Sequence, residues 1–185
     1  MMDESKRPYD VSKCVQVLKY IISKHPNPDV YNVLRMLYYA DKFHLLEQGK
    51  LITPDTYVKY KDGATPRICR RILLFVSGKC EARPYLFDES IKGEILVKED
   101  GKLENLTEPD PDYLAETNIE CLDKAIERYG DCDHPELKLL SHDEIYDSVP
   151  KFNDEITVFH MANVLDKGGE LTKHLSESYP YKIMF

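Results

Sequence analysis

Three places in the chain hold residue types that do chemistry. Ser141-His142-Asp143 contains the letters of a nucleophile, a base and an orienting acid. A triad works only when its side chains converge, and consecutive residues on a helix leave in different directions. Ser141-x-x-Glu144 has the spacing of a capping box, which explains the stretch as a helix start. Asp131-Cys132-Asp133-His134 offers metal-ligand types in a row. A metal needs three or four converging ligands, and no partner pair with suitable spacing is visible. A turn with Asp133 as a cap before Pro135 accounts for the segment. Asp41 falls between Leu37 and Leu45 on an apolar stripe, and His44 follows at i+3, within side-chain reach. A carboxylate there must find hydrogen bonds or stay wet. It serves either as an acid–base or ligand-contact pair with His44, or as a polar network that fixes packing. The second reading is adopted, with Asp41, His44 and Thr56 as its members. Neither GxxxxGK[ST] nor a post-strand GxGxxG is present. The expectation is a non-enzymatic protein with no catalytic residues, cofactor or metal.

Charge narrows the choice of partner. The net charge is −8, so a phosphate backbone is repelled unless a local basic patch forms. The best candidate is Arg67, Arg70 and Arg71 with Lys59 and Lys61 upstream. It is short, and it reads as the solvated face of a helix. Nucleic acid is therefore not the expected partner; a basic protein is. There are 13 tyrosines and no tryptophan, and tyrosine is favoured at protein interfaces. Tyr57, Tyr60, Tyr85, Tyr179 and Tyr181 lie outside clear core stripes, and the apolar end Tyr179–Phe185 must fold back or dock. Five cysteines without CxxC spacing read as reduced, mostly buried thiols. With no membrane-length apolar run and no signal-peptide core at the N-terminus, a cytoplasmic location is expected.

The elements that must position these residues follow from periodicity. A first helix opens at Asp10 and carries Val11, Cys14, Val15, Leu18, Ile21 and Ile22. Asn27 is expected to cap a second helix with Pro28 at its first position, and Gly49 to end it. Leu51–Lys61 is ambiguous between helix and strand. After an Asp62-Gly63 turn, Thr65-Pro66 is expected to start a third helix that Gly78 ends. Residues 91–98 and 102–106 read as strands joined at Asp100-Gly101. Further helices are expected from Asp110-Pro111 to Gly130, after Ser141, from Asp154, and near Leu171–Leu175. The fold class is α+β, mostly α: a compact helical domain spanning 1–185 with a small β-hairpin near residues 91–106.

The second helix and its sequel also resemble a known family. Leu37-Tyr38-Tyr39-Ala40-Asp41-Lys42-Phe43-His44-Leu45, then Gly49, looks like the LLYFAD-x-x-HL…G signature of the Panacea domain, found in SocA-like antitoxins. Leu51–Val58 is similar to the family's I-T-G-D-x-Y-V segment, and Leu140-Ser141-His142 to its L-S-H element. The resemblance covers about residues 11–165. Gly63-Ala64-Thr65-Pro66 stands where the family usually has Gly-Pro-Val-Pro, and the C-terminal helix and tail, 166–185, have no clear counterpart.

This resemblance implies a helical antitoxin of a type II toxin–antitoxin system that binds a cognate protein toxin. Some toxins of the family resemble alarmone synthetases that use ATP. It also leaves open an adaptor that delivers its toxin to a AAA+ protease, or a phage-type regulatory factor that redirects a host protein. Two surfaces are expected to compete for the partner. One runs from Tyr57 and Tyr60 to Arg67, Arg70 and Arg71. The other is the acidic stretch that includes Asp131, Asp133, Glu136, Asp143, Glu144 and Asp147.

Overall fold

The computed structural model describes residues 10–80 and 88–178. Tyr85, Tyr179, Tyr181 and the apolar C-terminal end lie outside the described residues. The chain forms α1 (Val11–Lys24), α2 (Val30–Gln48), β1 (Tyr57–Tyr60), β2 (Gly63–Pro66) and α3 (Arg67–Val76). A hairpin of β3 (Ile95–Val97) and β4 (Leu103–Asn105) follows. Then come α4 (Glu116–Tyr129), α5 (His134–Ser141), α6 (Glu144–Asp147), β5 (Glu155–Ile156), α7 (Val158–Leu165) and α8 (Glu170–Ser178). The α+β, mostly α expectation holds.

α2 is the central element. It is buried over nearly its whole circumference between α1, α3, α4, α5 and α7, with Val33, Leu34, Met36, Leu37, Tyr38 and Ala40 all in the core. A helix buried all round needs apolar residues all round, and its two charged exceptions, Arg35 and Asp41, are discussed below. Asp29 caps α2 by accepting from the Asn32 N–H at 2.8 Å. Asn27 was expected in that role. The Pro28 carbonyl instead accepts from the Leu103 N–H at 2.8 Å, so β4 holds the chain extended until Asp29. Gly49 ends α2 at φ +68°, the left-handed region glycine enters without penalty.

Local signals give way to tertiary pairing at several starts. Residues 63–66 are drawn into a strand against β1, and α3 begins only at Arg67. Glu155–Ile156 adds a third strand, giving the antiparallel order β2-β1-β5. Thr157 therefore caps α7 in place of Asp154. Asp110 caps only a short 3₁₀ turn, and α4 starts at Glu116. The Asp100-Gly101 hairpin forms as expected, with Gly101 at φ +82°, but residues 89–93 are a 3₁₀ turn rather than part of its first strand. It packs on α1, where the buried Lys19 ammonium bonds Glu94 and Thr107, each at 2.6 Å.

Candidate functional site

The motif residues converge on the inner side of β1 and β2. Asp41, fully buried on α2, accepts from the Ile52 N–H at 2.7 Å and from the Tyr57 hydroxyl at 2.6 Å. Those two donors latch the loop after α2 and the start of β1 onto the helix. Burial pushes the Asp41 carboxyl up to about 7, against the pull of these donors. Asp55, in the loop itself, is a second buried carboxylate. It accepts from the N–H groups of Thr56 at 2.7 Å and of Ile68 and Cys69 at 2.9 Å, which caps α3 from a distance. Thr56 thus enters through its backbone, bonded to Asp55, whereas it was expected to serve Asp41.

His44 lies on the same side of α2 but joins a different network. Its Nδ1 meets the Lys50 carbonyl at 2.7 Å and its Nε2 meets Asn118 Nδ2 at 2.9 Å. Asn118 Oδ1 accepts from the Ala115 N–H, so its amide NH₂ must face the imidazole. Nε2 is therefore the acceptor and Nδ1 carries the proton. Burial first, with the Lys50 and Lys13 ammoniums adding to it, lowers the pKa and favours this neutral ring. Asp41 and His44 each hold one stretch of the chain, and neither carries the other.

Arg35 is a centre that sequence reasoning missed. It is 1 % exposed. Its Nη2 donates to Thr65 Oγ1, and the Thr65 hydroxyl donates on to the Gly63 carbonyl at 3.0 Å. The guanidinium sits 5.4 Å from the Tyr31 ring centroid. Gly63, at φ +118°, packs so close that a Cβ would strike Arg35 Nη1 and Ser141 Oγ. The first motif helix, the glycine of the Gly-Ala-Thr-Pro segment and the serine of Leu-Ser-His therefore meet at one point. A charge within the apolar run Val33–Ala40 was the available signal, the same one that singled out Asp41.

The residues expected at a partner surface separate into spent and available groups. Tyr57 is fully buried with its hydroxyl on Asp41, which corrects its placement on an exposed surface. Tyr60 is half-buried under Arg70, 4.7 Å from ring to guanidinium. Arg67 bonds Glu155 at 2.6 Å. Lys59 is buried, its ammonium on the Val149 carbonyl at 2.8 Å, so the basic patch does not assemble. Arg71 is half-exposed on α3. Asp143 is also committed to the fold. It accepts from the Tyr38 hydroxyl at 2.9 Å and from Lys42 at 2.6 Å, and it caps α6 through the Ile145 and Tyr146 N–H groups. That cap displaces the one expected from Ser141, which is the last residue of α5 and bonds the Lys138 carbonyl. Ser141, His142 and Asp143 do not form a relay: His142 stacks on Tyr146 at 4.2 Å.

Glu144 and Asp147 remain exposed on α6. Immediately before them, α5 presents Leu139, 78 % exposed, and Leu140, 44 % exposed. Glu136 precedes these leucines by three and four residues, which puts it on the same helix face, and it too is exposed. Two exposed leucines thus stand beside the carboxylates of the expected acidic stretch, and it is the apolar half of this mixed face that the sequence leaves unmarked.

Among the described residues, the metal-ligand types that cluster within 4.8 Å are Cys14, Asp55 and Cys69, all buried. Both Asp55 oxygens are already occupied by backbone N–H donors, and burial drives the Cys69 thiol well above its ordinary range. This is the chemistry of a packed core. In the Asp131–His134 segment, Asp133 caps α5 and His134 bonds Asp29 at 2.9 Å. No helix among the described residues is long and apolar enough to cross a membrane.

The interior thus holds a buried polar lattice built around one central helix, and the exterior an acidic face with exposed leucines. The family model for the antitoxin SocA-like, Panacea domain matches residues 33–145. The chain belongs to this family. Its matched span opens in α2 and closes in α6, and so encloses Arg35, Asp41, Tyr57, Gly63 and Asp143 together. Among curated proteins and solved structures, none matches the chain.

Proposed function

We propose that this chain is a non-enzymatic antitoxin of the cytoplasm that silences a cognate toxin by direct, stoichiometric binding through the α5–α6 face. Family membership supports the antitoxin role. The observation that carries the surface is the pair Leu139 and Leu140, left in water on a helix whose neighbour Leu137 is fully buried. Covering two such side chains removes apolar surface from water, which favours association, while surrounding charges steer the approach. The partner chemistry that fits is an apolar recess rimmed by cations. A toxin related to alarmone synthetases, whose ATP site must hold phosphates with basic groups, presents such a rim, and Glu136, Glu144 and Asp147 match it in sign.

Purified antitoxin added to purified toxin in a protease-free assay tests this reading. Inhibition should titrate to completion near one equivalent, with a complex burying roughly 1,200–2,000 Å². Neutralisation that requires an ATP-dependent protease would replace it with the adaptor reading.

A further inference from the structure

The β3–β4 hairpin carries a surface built from elements other than α5 and α6. Its strands pair antiparallel, with Leu96 opposite Glu104. The Lys98 N–H donates to the Lys102 carbonyl at 2.8 Å, and the Leu106 N–H to the Glu94 carbonyl at 3.0 Å. Backbone groups alternate in direction along a strand. Glu94, Leu96 and Lys98 therefore bond β4, while Ile95 and Val97 turn their N–H and C=O groups to the other edge of β3. Among the described residues, no strand or backbone group pairs with that edge. Side chains alternate as well. Ile95 is buried, whereas Leu96, 42 % exposed, and Leu106, 49 % exposed, lie on the outer face.

An open edge is a template for another strand, and short length and charge ordinarily blunt it. The charges of β3 are instead complementary to themselves. When β3 meets a second β3 antiparallel with Leu96 on the two-fold axis, Glu94 faces the second copy's Lys98, and Lys98 faces its Glu94. Ile95 and Val97 then exchange main-chain hydrogen bonds across the axis. The two leucines and both Glu–Lys pairs fall at the positions between those bonds, where side chains approach most closely. A slip of one pairing step sets Lys98 opposite Lys92 in one direction and Glu94 opposite Asp100 in the other, both like charges. Both partners can take part. Glu94 holds Lys19 and Thr107 through Oε2, and Lys98 bonds Glu104 at 2.5 Å through one of its three N–H donors.

We propose that this edge pairs with a second copy of the same chain, giving a two-fold dimer through a continuous sheet of order β4-β3-β3-β4. Three residues pair on each side, so the dimer is weak, with a Kd of about 100 µM.

Sedimentation velocity of the purified chain from about 5 µM to about 1 mM tests it without the toxin. The average mass should rise from monomer towards dimer. Val97→Pro removes an N–H that points to the open edge and not to β4, so the hairpin persists. The dimer should be lost with the melting temperature unchanged. Leu96→Lys sets two ammoniums face to face on the axis and should weaken association at least about tenfold. Leu96 is exposed, so this variant decides the matter if the proline disturbs the hairpin. Leu96→Cys should cross-link into a dimer under mild oxidation, because Cα atoms at such a position lie about 4.5 Å apart, within disulfide reach. Glu104→Cys, on β4, should not. A monomer throughout the range, association that Leu96→Lys leaves intact, or equal cross-linking of the two cysteine variants would overturn the assignment.

Discussion

The inner side of the β1–β2 sheet and the outer face of α5 and α6 differ in how their polar groups are used. Inside, Asp41, Asp55, Thr65 and Asp143 each accept or relay hydrogen bonds from other parts of the chain, and Tyr57 gives its hydroxyl to Asp41. Outside, Leu139, Leu140 and Asp147 are exposed to solvent. Asp143 and Asp147 are four residues apart and show the contrast most closely. Asp143 ties α6 to Tyr38 and Lys42 of α2, while Asp147 lies exposed, 3.8 Å from the Lys59 ammonium. The residues that define the family build the scaffold. The exposed residues of α5 and α6 contribute little to that interior lattice.

Changes inside should damage stability most. Gly63→Ala must fit a Cβ against Arg35 and Ser141 at a φ of +118°, so it should cost about 3 kcal/mol or more. Chemical denaturation measures this directly, and a native-like midpoint would show that the convergence point is looser than the packing indicates.

Asp41→Ala comes next. It orphans the Tyr57 hydroxyl and the Ile52 N–H, and should cost about 1–3 kcal/mol. Asp41→Asn keeps a side chain that can bond both and should cost less. It also separates shape from charge. The folded carboxyl sits near 7, above its ordinary 3.8, so the folded state binds the extra proton between these values. Its contribution to stability is therefore full below about pH 4 and is lost as pH rises through about 7. The native chain should lose stability relative to Asp41→Asn across that window. Parallel denaturation curves at pH 5 and pH 8 with an unchanged difference would contradict the buried, proton-holding carboxyl.

Charge changes outside should have the smallest effect. Glu144→Gln with Asp147→Asn should slow toxin association by about two- to fivefold at low salt and leave dissociation nearly unchanged. Stopped-flow mixing at two ionic strengths reads both. An unchanged on-rate would remove steering by α6.

The sequence carried Asp41 because a carboxylate on an apolar helical stripe demands partners, and it carried the Asp100-Gly101 hairpin because that turn needs a glycine at positive φ. It did not carry β2 or β5. Each is short, and Thr65-Pro66 and Asp154 have ordinary helix-start chemistry that long-range pairing with β1 overrides. The same competition moved the cap of α2 from Asn27 to Asp29. Tyr57 reads as a surface residue in the sequence because a tyrosine's burial depends on whether an acceptor awaits it, and Asp41 lies 16 residues away. Leu139 and Leu140 were legible only as apolar letters in an apolar stretch. Which face of a short helix looks outward is fixed by its packing on α2, not by its own period.

The central claim is that the interior motif makes the fold and the α5–α6 face makes the contact. Replacing Leu139 and Leu140 together with Ala, and measuring toxin affinity and melting temperature on the same preparation, tests it most directly. The account predicts a loss of at least about 2 kcal/mol in binding, roughly thirtyfold in Kd, with the melting temperature unchanged. Native affinity in the folded double variant would contradict it.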